Sequence, residues 1–444
     1  MLAGPWLVVL LIASIIFIIV MNVKFKLHIF LVLLLTSYLV GLLAGMGPVE
    51  TVDTIAAGFG STMKSIGIVI LFGCIIAVIL ERSGGIFVMA DAVLRVVGKT
   101  RSVLATSIIG FMVSIPVYCD SGFVILSPLA KAMAKRLKYS ATVFGIALST
   151  GLYATHCLVP PTPGPIACTG IIGADLGLVI VLGLVVSVPA VLAGLWYATR
   201  VANKYYIEPK VEVSHEEIKA KYKRLPSTAR SFMPIVVPIT LICTRSVASM
   251  ILPDGALLGF FNFIGHPITA LFVGVGFAFT LVPFSKEVIG DWVEKGLLTA
   301  AVIIFITGAG GSLGAVLRGS GIGGYLGEVL SSYHLWLFLP FIIAAVLKTA
   351  QGSSTVSLIT TPAIVAPMLP ALGLTTPVAL ALVVLAIGAG SMVVSHANDS
   401  YFWVATRFTG IDDVGLGYKT QTMATLVEGV AAMAAVAVLG AVLI

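Results

Sequence analysis

Charged side chains are what this sequence has least of. Asp, Glu, Lys and Arg make up 10% of its 444 residues, hydrophobic ones 59%, and the mean hydropathy is +1.12. A soluble protein carries about a quarter charged residues, because its surface must be covered with groups that water solvates. The scarcity excludes a soluble enzyme, a nucleic-acid-binding domain and a disordered scaffold. Cysteine is also sparse. Cys74, Cys119, Cys157, Cys168 and Cys243 are odd in number and show no CxxC spacing, which excludes a disulfide framework and a zinc site. They read as small buried hydrophobes. No Lys or Arg precedes the first apolar run and no small-residue cleavage site follows it. That run is expected to be a first transmembrane helix with its N-terminus outside, not a signal peptide. Nothing resembles a nucleotide-hydrolysing P-loop. Residues 319–324 fit G-x-G-x-x-G but follow a membrane span instead of a strand, so no dinucleotide site is implied. No cofactor is expected.

What is present is a series of long apolar runs. A helix needs about 20 apolar residues to cross a bilayer. The runs 5–23, 27–47, 58–80, 141–160 and 177–198 meet that need, as do 231–252, 262–283, 296–317, 377–395 and 422–444. The connector 200–230 holds Lys204, Lys210, Lys219, Lys221, Lys223, Arg224 and four Glu, and is expected to be cytoplasmic. It divides the chain into a first repeat, 1–199, and a second, 231–444.

Two further apolar stretches, about 102–130 and 335–370, are better read as re-entrant hairpins. If 102–130 crossed once, Lys131, Lys135, Arg136 and Lys138 would fall outside, against the positive-inside rule. Entering and returning puts this cluster and the 200–230 connector on the same cytoplasmic side. A pair of very short crossing helices is the plainer alternative. The halves also echo one another at offsets of 234 to 240 residues: Asp120-Ser121-Gly122 with Ser354-Thr355-Val356, and residues 151–156 with 391–396. Five spans per half is an odd number, so the second copy must be inverted, and both termini are placed outside. Inverted repeats with broken helices mark a secondary transporter.

Polar clusters inside apolar runs show where helices break, because non-helical backbone at membrane depth survives only buried in protein or lining a wet cavity. Asp120, Ser121 and Gly122 form one cluster, and a mid-membrane Asp is a functional candidate by default. Gln351, Ser353, Ser354 and Thr355, following Lys348, form its counterpart. Their hydroxyls at a helix start suit a carboxylate. Tight packing of small residues between helices is the plainer alternative for both. His156 precedes Pro160, Pro161, Pro163 and Pro165, a run no helix can continue through. Thr162 lies within it. His396, Asn398 and Asp399 end the matching span. Either they cap a break or they bind substrate. His156 and Asp120 are the expected proton carriers, with Glu81 a further candidate.

These same clusters resemble the gluconate:proton symporter (GntP) family of the ion transporter superfamily along essentially the whole chain. The matching pieces include Gly58-Phe59-Gly60-Ser61-Thr62, Leu80-Glu81-Arg82-Ser83-Gly84-Gly85, His156 with Val159-Pro160-Pro161-Thr162-Pro163-Gly164-Pro165, Ala350-Gln351-Gly352-Ser353-Ser354-Thr355, and Asn398-Asp399-Ser400-Tyr401-Phe402-Trp403. Two places differ. Thr162 stands where gluconate carriers commonly show a second His, and Cys119-Asp120-Ser121 replaces a more apolar stretch.

The expectation is therefore an all-α polytopic membrane protein of two inverted repeats, each with a hairpin. The resemblance implies proton-coupled symport of gluconate or a related sugar acid into a prokaryotic cell across the inner membrane. Its partners would be a small hydroxy-acid anion, protons and the lipid bilayer, with no nucleic acid, and a homodimer is among the assemblies it allows. A sodium-coupled or D-serine-type carrier of the same fold is the alternative, and a polytopic membrane enzyme a more distant one.

Overall fold

The computed structural model describes residues 4–98, 101–210, 225–282, 285–322 and 336–444. Residues 211–224, which hold most of the charged connector, lie outside the described residues, as do Leu335 and the glycines at 323 and 324. Among the described residues the regular structure is helical throughout.

The first half runs α1 (Pro5–Val23), α2 (Ile29–Leu43), α3 (Pro48–Thr62), a π turn (Met63–Gly67), α4 (Ile68–Arg82), α5 (Gly85–Val97), α6 (Ser102–Val113), α7 (Cys119–Leu137), α8 (Ala141–Leu158), α9 (Pro163–Ile172) and α10 (Leu176–Arg200). The second runs α11 (Thr228–Ile251), α12 (Ala256–Ile264), α13 (Pro267–Phe279), α14 (Lys286–Gly319), α15 (Phe338–Gln351), α16 (Ser354–Val365), α17 (Pro377–Gly390), α18 (Ser400–Thr409) and α19 (Met423–Leu443). Helices α15, α16, α17 and α18 begin 236, 235, 236 and 237 residues after α6, α7, α8 and α9. The same element order is thus laid down twice.

Several spans differ from the apolar runs that signal them. The run at 58–80 is the inner part of one 35-residue span, Pro48–Arg82, continued through the π turn. The run at 262–283 is two helices, α12 and α13, bent by 54°. The second arm of the first hairpin reaches Leu137 and takes in the basic cluster, since Lys135 and Arg136 sit in its last turn, where cations suit the helix dipole. Prolines inside helices, Pro128, Pro189, Pro234 and Pro238, are tolerated as membrane helices tolerate them.

At the centre of the bundle stands α8, with all 18 residues buried. It packs between α6, α7 and α10, while α17 packs among α15, α10 and α19. The halves exchange arms. Helix α9 beds on α16 and α17 of the other half, and α18 beds on α7 and α8. Small residues permit the closest approaches: a Cβ on Gly58 would strike Ala315 and the Gly311 carbonyl, and Ser312 donates to Ile55 O across the α3–α14 contact at 2.8 Å. Outer faces carry Ile12, Ile16, Phe272, Phe305 and Val438, all more than half exposed. Apolar side chains cover the outside as well as the core, which a water-facing surface would not allow and a lipid surround does.

Candidate functional site

Four helix ends meet where the spans break. Helix α8 stops at Leu158, and α9 restarts at Pro163 after a cis Pro160–Pro161 bond. Proline is allowed there because the first turn of a helix has no use for its missing N–H. In the first hairpin, Ser114 Oγ donates to Val117 O at 3.0 Å and closes the tip, and α7 begins at Cys119 with Asp120 in its first turn. In the second, α15 ends at Gln351, Gly352 takes φ +81°, and Ser353 caps α16 by accepting from Val356 N. The matching span breaks over residues 391–399, and Asp399 caps α18 by accepting from Tyr401 N at 3.0 Å.

The charge at the centre is a buried pair. Lys348 Nζ donates to Asp399 Oδ2 at 2.5 Å and to Gly352 O at 2.8 Å. Ser395 Oγ also donates to Asp399. Lys348 is fully buried and Asp399 3% exposed. An ion pair in such a place persists only when further hydrogen bonds satisfy its remaining atoms. Here Lys348 has one, to Gly352 O, and Asp399 two, from Ser395 Oγ and Tyr401 N. Beside it, His396 Nε2 donates to Thr349 O at 2.8 Å, and Asn398 Nδ2 donates to Thr349 O and Ala350 O at 2.9 and 3.2 Å. The last carbonyls of a helix lack partners of their own, so this break clamps the hairpin tip. Gly352 has to be glycine twice over: its φ is left-handed, and a Cβ would collide with the Asn398 carbonyl.

Aromatic rings carry the pair across to the first half. Lys348 Nζ lies 5.9 Å from the Tyr153 ring centroid. Tyr153 stacks on Tyr401 at 5.0 Å and lies parallel to His156 at 6.5 Å, while its hydroxyl shares a 2.5 Å hydrogen bond with Ser354 Oγ. Tyr401 Oη donates to Ser149 O at 2.9 Å. Tyr118, at the first hairpin's tip, sits 5.9 Å from His156. Behind Tyr118 a cavity of about 190 Å³ is lined by Cys74, Glu81, Arg82, Ser121, Lys295 and Thr299 among others. Two groups in this region are buried without a protein hydrogen bond, His156 Nδ1 and both polar atoms of the Gln351 amide. Buried polar atoms are nearly always satisfied, so these two invite a ligand or water.

The expected site residues fall into distinct settings. His156, Ser354 and Asp399 converge on the Lys348–Tyr153–Tyr401 cluster, and Gln351 ends α15 three residues after Lys348. Asp120 is half-buried with the Cys119 thiol 3.7 Å from its Oδ2, and Ser121 faces the cavity. Gly122 lets α7 approach α8, since a Cβ would strike the Leu152 side chain. Thr162 Oγ donates to Val159 O and His156 O at 2.7 and 3.1 Å, which satisfies the end of α8. Ser353, His396 and Asn398 bond to backbone, and Thr355 lies half-buried in the first turn of α16. Sequence reasoning missed Tyr153 and Tyr401, and passed over Lys348 as a ligand. The signal for Lys348 was there: it is the one charged residue of α15.

The family model described as GntP family permease matches residues 6–442. The chain is 38% identical over 407 residues to an uncharacterized permease of Haemophilus influenzae, covering 88% of this chain and 83% of that one. It is 32% identical over 442 residues to a gluconate permease of Pseudomonas aeruginosa, covering 97% and 96%. With the D-serine transporter DsdX of Escherichia coli K12 it shares 33% identity over 437 residues and 97% of each chain. Among solved structures, the YdaH transporter of Alcanivorax borkumensis, described as having an unusual topology, matches with TM-score 0.62 over 88% of each chain at 13% identity. That likeness is one of fold.

Proposed function

The chain belongs to the GntP family of permeases, and from that premise we propose that it is a proton-driven symporter of a small hydroxy-acid anion, gluconate or a related sugar acid. Its substrate is held at mid-membrane between the two hairpin tips. Transport runs into the cell across the inner membrane, with the connector 200–230 and the 131–138 cluster on the cytoplasmic face and both termini outside.

The observation that carries this reading is the buried Lys348–Asp399 pair joined through Tyr153 and Tyr401 to His156, with the Gln351 amide and His156 Nδ1 left unpaired beside it. The start of α16 brings positive potential to a spot lined by hydroxyls from Ser353, Ser354 and Thr355, beside the Lys348–Asp399 pair, whose charges offset one another. A carboxylate is favoured at a helix start, and unpaired amide and imidazole atoms offer its hydroxyl groups their partners. Asp120 and His156 exchange protons on the first-half side. The cavity behind Tyr118 is the cytoplasmic way out, with Arg82 and Lys295 in its wall to draw an anion through.

The D-serine transporter is as similar to this chain as the gluconate permease is, so a zwitterionic amino acid belongs in the test. The experiment is uptake into proteoliposomes of a labelled panel of sugar acids and D-serine, with pH and sodium gradients imposed separately. Accumulation of a sugar acid that follows the pH gradient is expected. Accumulation that follows sodium and ignores pH would sink the proton coupling, and preference for D-serine would reassign the substrate.

A further inference from the structure

Helix α19 has one charged residue, Glu428, and it is fully buried with neither carboxylate oxygen hydrogen-bonded. Among the described residues no basic side chain pairs with it. Asp399 is held by Lys348; Glu428 has nothing of the kind, so in this interior its charge is satisfied only by a bound proton or cation.

Its neighbourhood is a seam of similar atoms. Gln421 lies seven residues earlier, in the π turn Tyr418–Thr422 that leads into α19, and both polar atoms of its amide are buried and unpaired. On α8 the hydroxyls of Thr142 and Ser149, also seven residues apart, are fully buried and unpaired. Seven residues is about two helical turns, which returns a side chain to the same face. Both the π turn and α19 pack against α8. Unpaired polar atoms buried in a row are where water molecules seat. The row begins at the end of the bundle where Lys419 is exposed and α8 emerges from the basic 131–138 cluster. It ends beside Tyr401, whose hydroxyl already holds Ser149 O.

We infer that Glu428 is a second proton-binding site, loaded along the Thr142–Gln421–Ser149 seam and separate from the substrate cluster. A proton is assigned because Glu428 is the one carboxylate at the seam and, among the described residues, no cation-bearing side chain pairs with it. A sodium ion, which amide and hydroxyl oxygens also suit, is the outcome the test separates. Facing α19 are α8, which brings Tyr153, His156 and Cys157; α10, which brings Arg200 and Tyr197, the latter bonded to Lys419 O; and α17, which has no titratable residue. Glu428 lies near enough to Cys157 and to Tyr401 of α18 for its charge to act on both. Tyr401 stacks on Tyr153 and its backbone N–H donates to Asp399, so a proton gained or lost at Glu428 is felt at the ion pair. This inference rests on proton coupling as proposed above.

The test labels the wild-type protein in proteoliposomes with dicyclohexylcarbodiimide, which attacks protonated carboxyl groups in apolar surroundings, and locates the adduct by peptide mass spectrometry. Labelling at Glu428 that falls as pH rises, and that stops pH-driven uptake, is the expected result. A Glu428 left unmodified, modified equally at every pH, or protected by sodium in place of alkaline pH would overturn the inference. Glu428→Gln, which mimics the protonated acid, should lose accumulation driven by a pH gradient and still exchange labelled for unlabelled substrate at equal pH. Full accumulation by that variant would also overturn it. Labelling needs no substrate, so a wrong substrate assignment leaves this readout standing.

Discussion

Tyr153 and Ser354 lie 201 residues apart in the chain and share a buried 2.5 Å hydrogen bond. One belongs to the central helix of the first half and the other to the hairpin of the second. The bond therefore ties the central helix of one repeat to the hairpin tip of the other. Removing it with Tyr153→Phe should change transport more than stability. A neutral hydrogen bond contributes about 0.5–1.5 kcal/mol, so uptake rates should shift roughly two- to tenfold. Ser354→Ala should do the same, and the double variant should add little. Additive losses in such a cycle would mean that the two hydroxyls act separately.

Lys348→Met leaves Asp399 buried without its partner. Breaking a buried pair from one side costs about 3–5 kcal/mol, and a marked drop in the thermal unfolding midpoint of the purified protein in detergent is expected. Lys348→Met with Asp399→Asn should recover most of that stability without recovering transport. Recovery of both would show that the pair is structural only.

Gly352 and Gly373 both have left-handed backbone, with φ of +81° and +70°, yet only Gly352 has a neighbour where a Cβ would go. Ala at Gly373 should cost about 1–2 kcal/mol of backbone strain. Ala at Gly352 adds a collision with the Asn398 carbonyl and should abolish folded transporter, as judged by size-exclusion profiles. Equal tolerance at both positions would contradict the close contact.

Asp120→Asn and His156→Ala are each expected to uncouple uptake from the pH gradient. Transport should then become insensitive to an imposed gradient while substrate exchange continues. If both variants accumulate substrate as wild type does, the proton carriers lie elsewhere.

Access can be read with cysteines in a cysteine-free background. Ser121→Cys lines the cavity behind Tyr118 and should react with an impermeant thiol reagent applied from the cytoplasmic face. Thr355→Cys should react from the opposite face. Both reacting from one side would rule out oppositely opening hairpins.

Much of this architecture is legible in the residues themselves. Apolar runs give the spans, the clustered prolines at 160–165 give the break after α8, and the spacing of echoing motifs gives the second copy. Side-chain partners are another matter. His396 and Asn398 look like ligands in the sequence, yet they turn back onto the Thr349 carbonyl, because an unwound segment imposes no period from which a side chain's direction can be read. Thr162 likewise spends its hydroxyl on the end of α8. Lys348 and Asp399 are 51 residues apart, and only the folded hairpin brings them together. The bend between α12 and α13 does carry a signal, Gly265-His266-Pro267, but the apolar residues on either side of it outweigh three residues in a reading by hydropathy.

The exchange of arms between the halves has a consequence for how the protein is made. Helix α7 rests on α18, but when Cys119–Leu137 leaves the ribosome, Ser400–Thr409 does not yet exist. At common synthesis rates the interval is on the order of tens of seconds. Through that interval the first hairpin must wait in or at the bilayer with one flank open, covered by lipid or by the insertion machinery. Any lesion that delays or truncates the last fifth of the chain thus strands a hairpin that was translated long before it.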